Sequence, residues 1–157
     1  MEKRKIEIMD TTLRDGEQTS GVSFSAAEIL TIAQLLLEEL NIDRIEIASA
    51  RVSEGEFQGV KGIMAWAKEK GYSKRIEVLT FVDGGLSIEW MKSTGAKVQN
   101  LLTKGSLNHL THQLKKTPEQ HFSEIAAAII LAQENNIDTN VYLEDWSNGM
   151  RNSPEYV

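Results

Sequence analysis

Within nine positions, Asp10-Thr11-Thr12-Leu13-Arg14-Asp15-Gly16-Glu17-Gln18 gathers a guanidinium, three carboxylates, two hydroxyls and a side-chain amide, directly after the apolar alternation of Ile6 and Ile8. A strand that ends in charge presents that charge at its mouth. If extended geometry persists through Arg14 and Asp15, neighbouring side chains project to opposite sides, so one can hold an anionic substrate while the other holds a cation. Gly16 then lets the backbone turn. A lone Asp-Gly has a plainer reading, in which Asp15 satisfies its own turn and Arg14 pairs with a nearby carboxylate. Glu144 stands at a second strand mouth, after Val141-Tyr142-Leu143. Its plain reading is a salt bridge, with Arg14 as one partner. His109, His112 and His121 form no His-x-His pair and read as solvated residues on or near helices.

Alternating strands and helices must position these groups. Ser25 and Glu28 make a capping box for a helix from about Ala26 to Leu40, with Ile29, Ile32, Ala33, Leu36 and Leu40 on its inward stripe. Arg44 to Ala48 alternates as a strand. A helix from Glu54 to Lys70 follows, carries Phe57, Val60, Met64 and Ala67 inward, and stops at Gly71. Ile76 to Phe81 is a third strand, Asp83-Gly84-Gly85 a turn, and Ile88 to Met91 the centre of a short helix ending near Gly95. Lys97 to Thr103 is the fourth strand. Leu107 to Leu114 reads as a short helical piece. Thr117, Pro118 and Gln120 then open a helix to Asn135, expected to be well buried, and Asn140 to Glu144 is the fifth strand.

Strands that alternate with helices in this way predict an α/β fold with a parallel sheet. No glycine fingerprint follows the first strand, and polar residues sit at the C-terminal ends of several strands, which favours a TIM (β/α)8 barrel over a doubly wound sheet. A full barrel takes about 250 residues, so the 157 here hold about the first five strands. Residues 1–157 therefore read as the N-terminal part of a barrel domain, with the remainder expected beyond Val157. Strands one and five would present unpaired edges, so an isolated copy should associate.

Composition narrows the function. A net charge of −6 without a dense Lys/Arg patch argues against nucleic acid as partner. No apolar run approaches the roughly 20 residues of a membrane span. Met1 to Lys5 is basic but lacks the apolar segment of a secretory signal. The absence of cysteine excludes disulfides and thiolate metal sites and fits the cytoplasm.

The nonamer, continued through Thr19-Ser20-Gly21-Val22-Ser23-Phe24-Ser25, resembles the signature of the acyl-CoA-condensing, metal-dependent TIM-barrel synthases: 2-isopropylmalate, homocitrate and citramalate synthases. Glu46-Ile47-Ala48-Ser49-Ala50-Arg51, Leu101-Leu102-Thr103-Lys104-Gly105-Ser106 and Val141-Tyr142-Leu143-Glu144-Asp145-Trp146-Ser147-Asn148-Gly149 look most like citramalate synthase. The resemblance runs from about Ile6 to the last residue.

What the resemblance implies is a Claisen-type condensation of acetyl-CoA with a 2-oxo acid. Pyruvate is the favoured acid, giving citramalate and CoA, with 2-isopropylmalate or homocitrate synthesis as alternatives. By the same resemblance, Asp15 ligates a divalent metal (Mg, Mn or Zn) together with a His-x-His pair, which this sequence does not contain. Arg14 would bind the 2-oxo acid and stabilise its developing alkoxide. Glu144 matches a catalytic glutamate that helps a base act at the acetyl methyl. Leu79, Leu102 and Tyr142 match a small apolar pocket for the methyl of pyruvate, Gln18 lies near the metal, and Thr103, Lys104 and Ser106 lie near the thioester's phosphates. Asp145, next to Glu144, reads as structural. The whole protein would be a cytoplasmic homodimer acting on small molecules. A reading from another class is a non-catalytic half-barrel that acts only by association, and the isolated chain, lacking the histidines, is expected to be inactive.

Overall fold

Helix starts and stops are encoded locally, and they set the length of each strand-to-strand crossover. In the computed structural model, which describes residues 6–157, Ser25 accepts from the Glu28 amide while Glu28 accepts from the Ser25 amide, opening α1 (Ala26–Gln34). Ser53 caps α2 (Glu54–Lys70), which Gly71 ends in the left-handed region at φ 78°. Gly95 does the same for α3 (Leu86–Thr94). Further along, α4 (Leu107–His109) is short, and α5 (Pro118–Glu134) starts from the Thr117/Gln120 capping box with Pro118 in its first turn. The strands are β1 (Met9–Asp10), β2 (Arg44–Ser49), β3 (Ile76–Phe81), β4 (Val98–Lys104) and β5 (Asp138–Glu144), and α6 (Trp146–Asn152) follows the last.

These strands pair in parallel in the order β1-β2-β3-β4-β5. A doubly wound sheet reverses its strand order at a switch point, and this one never does. An arc of sequential parallel strands linked by helices is part of a TIM barrel, as expected from the sequence. Alternation sends Ile45, Ile47, Ile76 and Val78 to one face, where they pack with Ala33, Leu37, Ile63, Ala67, Ile88 and Met91 of α1, its extension, α2 and α3. Glu46 and Glu77 lie between those strand residues in sequence and so face the other way, into the barrel. Among the described residues, no helix is long and apolar enough to cross a membrane.

Local departures from the sequence pattern have local causes. β1 is only Met9–Asp10, and Ile6 and Ile8 are exposed, because β1 is an edge strand paired on one side. The α1 helix continues through a π-helical turn, Leu35–Glu39, whose larger number of residues per turn shifts the stripe so that Leu37 is buried and Leu40 is exposed. The helix expected to be well buried, α5, buries only His121 and Ala132, and its Phe122 and Ile130 are half exposed. Its main packing partner is β5, the other edge of the arc. The basic Met1 to Lys5 lies outside the described residues.

The last helix is seated by a close backbone approach. Gly105 donates its amide to the Glu144 carbonyl at 2.7 Å, and a Cβ on Gly149 would overlap the Gly105 carbonyl oxygen. Neither atom belongs to a flexible side chain that could swing away. Gly149→Ala is therefore expected to destabilise the chain by about 2 kcal/mol or more, read as a lower urea midpoint at unchanged slope. Gly62→Ala is the control: nothing stands within 4 Å of its added Cβ, and inside a helix it should stabilise by roughly 0.5–1 kcal/mol.

Candidate active site

The chain after β1 turns instead of staying extended. The amides of Arg14, Asp15 and Gly16 all donate to the Thr11 carbonyl, at 3.1, 2.8 and 3.1 Å, while Leu13 anchors the turn in the core. This corrects the expectation that Arg14 and Asp15 project to opposite sides. Arg14 Nη1 instead donates to Asp15 Oδ1 at 2.9 Å, and Arg14 Nε donates to Glu46 Oε2 at 2.6 Å. Glu46 is fully buried. The β2–β3 register shifts between Glu46 and Ser49, a bulge that lets both residues serve the interior side although three positions separate them.

From Glu46 a polar chain runs through the barrel interior. Asn100 donates to its other oxygen at 2.7 Å; Asn140 donates to Asn100 at 3.2 Å and to Glu77 at 2.9 Å; Arg44 donates to Glu77 at 3.1 Å. Burial pushes the Glu77 carboxyl up, against the opposing pull of Arg44. Two guanidinium groups and two buried carboxylates are thus joined by asparagine amides, and the Arg14 guanidinium is held in one orientation.

At the C-terminal end of the strands an open cavity of about 880 Å³ is lined by Arg14, Asp15, Gln18, Leu79, Leu102, Tyr142 and Glu144. Register explains the grouping. Leu102 stands opposite Tyr142 and Lys104 opposite Glu144 across β4 and β5, and Leu79 and Phe81 lie on the same face of β3. Ser49, Phe81, Val141 and Trp146 also line the cavity, and sequence reasoning did not single them out. Nor did it single out Glu46, whose available signal was a carboxylate between Ile45 and Ile47 in an otherwise apolar strand.

Other candidates fall elsewhere. Glu144 pairs with Lys104 and not with Arg14. Thr103 is buried and donates to the Tyr142 carbonyl at 2.8 Å, and Ser106 donates to Asp145 Oδ2 at 2.7 Å while accepting from the His109 amide. Thr103, Lys104 and Ser106 thus stand outside the cavity lining. Asp145, in the left-handed region at φ 64°, is held below the usual carboxylate range by Ser106 and then Asn148, the structural role read for it. The histidines are corrected in part. His112 is exposed, but His109 Nε2 lies 3.5 Å from Asp145, and His121 is buried because its Nε2 accepts the Lys104 amide at 3.2 Å.

Polar groups at the strand ends of an interrupted barrel, facing one cavity, agree with the sequence comparisons. The HMGL-like profile matches residues 5–153. The chain belongs to the HMGL-like family. This HMGL-like chain is 36% identical over 132 residues to 2-isopropylmalate synthase of Oceanobacillus iheyensis, covering 83% of the chain and 25% of the relative. It is 34% identical over 141 residues to (R)-citramalate synthase of Methanocaldococcus jannaschii, covering 89% and 27%. The chain spans about a quarter of the length of these relatives. Its fold matches that of the HMG-CoA lyase of Bacillus subtilis with a TM-score of 0.69 at 21% identity, over 90% of this chain and 47% of the lyase.

Among the described residues no three His, Asp or Glu side chains are grouped so as to hold a metal ion. Asp15 contributes one carboxylate, already hydrogen-bonded to Arg14, where a hard divalent cation takes about six oxygen ligands. The donors among the described residues do not by themselves make a metal centre.

Tyr142 offers a test of the cavity floor. Its hydroxyl donates to Met9 Sδ at 3.0 Å, and burial, reinforced by Glu46 and Glu77, pushes the phenol up to about 12. A raised value means the folded state favours the protonated phenol. That stabilisation is fully present below pH 10 and lost as the pH climbs toward 12. Tyr142→Phe should therefore flatten the fall in urea midpoint across that window. An equal alkaline loss in parent and variant would mean that the phenol is solvated.

Proposed function

We propose that this HMGL-like chain supplies the first part of an active site that condenses acetyl-CoA with pyruvate, and with water releases citramalate and CoA. The observation that carries this reading is the meeting of Arg14, Glu144 and the apolar Leu79, Leu102 and Tyr142 around one cavity. When a carbon nucleophile attacks a ketone, charge develops on the ketone oxygen, and a pre-oriented guanidinium stabilises it without reorganising. Of the five N–H donors of Arg14, hydrogen bonds use those to Glu46 and Asp15, leaving others for the substrate. Glu144 helps a base remove the proton from the acetyl methyl, and the ion pair with Lys104 holds its carboxylate in place. Asp15 is the carboxylate that this chain would contribute toward a divalent metal. The three apolar side chains admit a methyl group and crowd out longer substituents.

In the complete enzyme carrying this chain, Arg14→Lys keeps the charge but loses the planar fork. Turnover should fall by at least about tenfold, roughly 1.4 kcal/mol of barrier, with a smaller change in the apparent pyruvate KM. Turnover within about threefold of the parent, under 1 kcal/mol, would remove Arg14 from the transition state.

Substrate choice is tested by Leu102→Ala in the same enzyme. The kcat/KM ratio of 2-oxoisovalerate to pyruvate should rise by roughly tenfold as crowding of about 1–3 kcal/mol is relieved. Free-thiol release with each oxo acid measures it. A parent that already prefers 2-oxoisovalerate would make this a 2-isopropylmalate synthase instead, and an unchanged ratio would make Leu102 simple packing.

A further inference from the structure

Glu46 reaches Arg14 with one oxygen only, Oε2, which accepts from Nε at 2.6 Å. Held there alone, a carboxylate can swivel about its terminal torsion, which is broad and roughly two-fold, and the guanidinium swings with it. Asp15, the other partner of Arg14, is mostly exposed and so is a weaker anchor. The residue that prevents the swivel is Asn100, whose Nδ2 donates to Glu46 Oε1 at 2.7 Å. With both oxygens held, the plane of the carboxylate is set.

Asn100 owes this role to its place in the sheet. It faces the interior two positions before Leu102, in register with Leu79 on β3 and with Asn140 on β5. It has no solvent exposure, and neither Asn100 nor Asn140 lines the large cavity. Any effect on a substrate there passes through Glu46.

Which end of the Asn100 amide meets Glu46 is decided further along. A carboxylate only accepts, so it calls for Nδ2, and that leaves Oδ1 facing β5. There Asn140 Nδ2 donates to Asn100 Oδ1 at 3.2 Å and to Glu77 Oε2 at 2.9 Å, while Arg44 donates to the other oxygen of Glu77 at 3.1 Å. A flipped Asn100 amide would set oxygen against the Glu46 carboxylate and N–H against the N–H of Asn140.

We propose that Asn100 is a positioning residue for the condensation: it locks the Glu46 carboxylate, and through it the direction in which Arg14 presents its remaining N–H groups to the cavity. Asn140 keeps the Asn100 amide the right way round. This role rests on the reading that Arg14 stabilises charge on the oxo-acid oxygen, and extends it to residues that do not touch the substrate.

Asn100→Leu in the complete enzyme carrying this chain keeps a branched side chain but removes the amide. Turnover, followed as free-thiol release at saturating acetyl-CoA and pyruvate, should fall at least about tenfold, while the pyruvate KM changes by less than about threefold. The deciding arm is a double-mutant cycle with Arg14→Lys. A lysine has no planar fork to aim, so adding Asn100→Leu to Arg14→Lys should lower turnover by less than about threefold more. General damage to the barrel would instead lower it by the same factor in both backgrounds. If Asn100→Leu fails to fold, Asn100→Ser, too short to reach Glu46, goes through the same cycle and decides. The proposal is overturned if the single variant loses less than about tenfold in turnover, if the loss appears in KM alone, or if it multiplies unchanged onto Arg14→Lys. Each of those results leaves the role of Arg14 standing, whereas Arg14→Lys with turnover within about threefold of the parent removes both.

Discussion

A carboxylate with no solvent exposure is the constraint around which the interior is arranged. Glu46 would be intolerable unpaired, since an ion in a low-dielectric interior costs several kcal/mol unless its charge and lone pairs are met. Arg14 meets one oxygen and Asn100 the other. Removing either partner would leave the cost standing. The turn after β1, the bulge in β2 and the middle of β4 are therefore tied to one another by a group that none of them can release, and this tie orients the guanidinium at the cavity.

The same logic continues down the interior, where Asn140 bridges Asn100 to Glu77 and Arg44 answers Glu77. A barrel interior is ordinarily filled by layers of branched apolar side chains. Here Glu46, Glu77, Asn100 and Asn140 put a polar network into that interior, while the main apolar cluster packs on the helix side of the sheet. A hydrogen-bonded layer is directional where an aliphatic one is not, so a polar floor gives the groups above it less freedom to reorient.

Above that floor, strand alternation produces two neighbouring cavities with a common wall. Leu102 and Phe81 face both, and Lys104 lines the smaller while holding Glu144 at the edge of the larger. One wall serving two cavities means that side-chain changes at Leu102 or Phe81 are felt in both. Their chemistry nonetheless differs. The larger cavity has a guanidinium and carboxylates around an apolar patch, and the smaller is lined by Lys104, Lys116, His121 and Thr103 together with apolar residues and by no carboxylate.

The parallel α/β arc, the helix caps at Ser25 and Thr117 and the stops at Gly71 and Gly95 were legible in the sequence, and Arg14, Asp15, Leu79, Leu102, Tyr142 and Glu144, named there with the help of a family resemblance, line one cavity. Capping and left-handed stops depend on residues a few positions apart, and period-two alternation assigns each strand residue to a face. What the sequence could not disclose depended on distance along the chain. The pairing of Arg14 with Glu46, 32 positions away, and of Glu144 with Lys104, 40 away, follows from strand register and the β2 bulge, which no local pattern encodes. The turn that brings Asp15 back against Arg14 overrode an extended reading because three amides share the Thr11 carbonyl. His121 looked like a surface residue because helical periodicity cannot register a neighbour on another element, and only the packing of α5 beside the exit of β4 placed its Nε2 on the Lys104 amide.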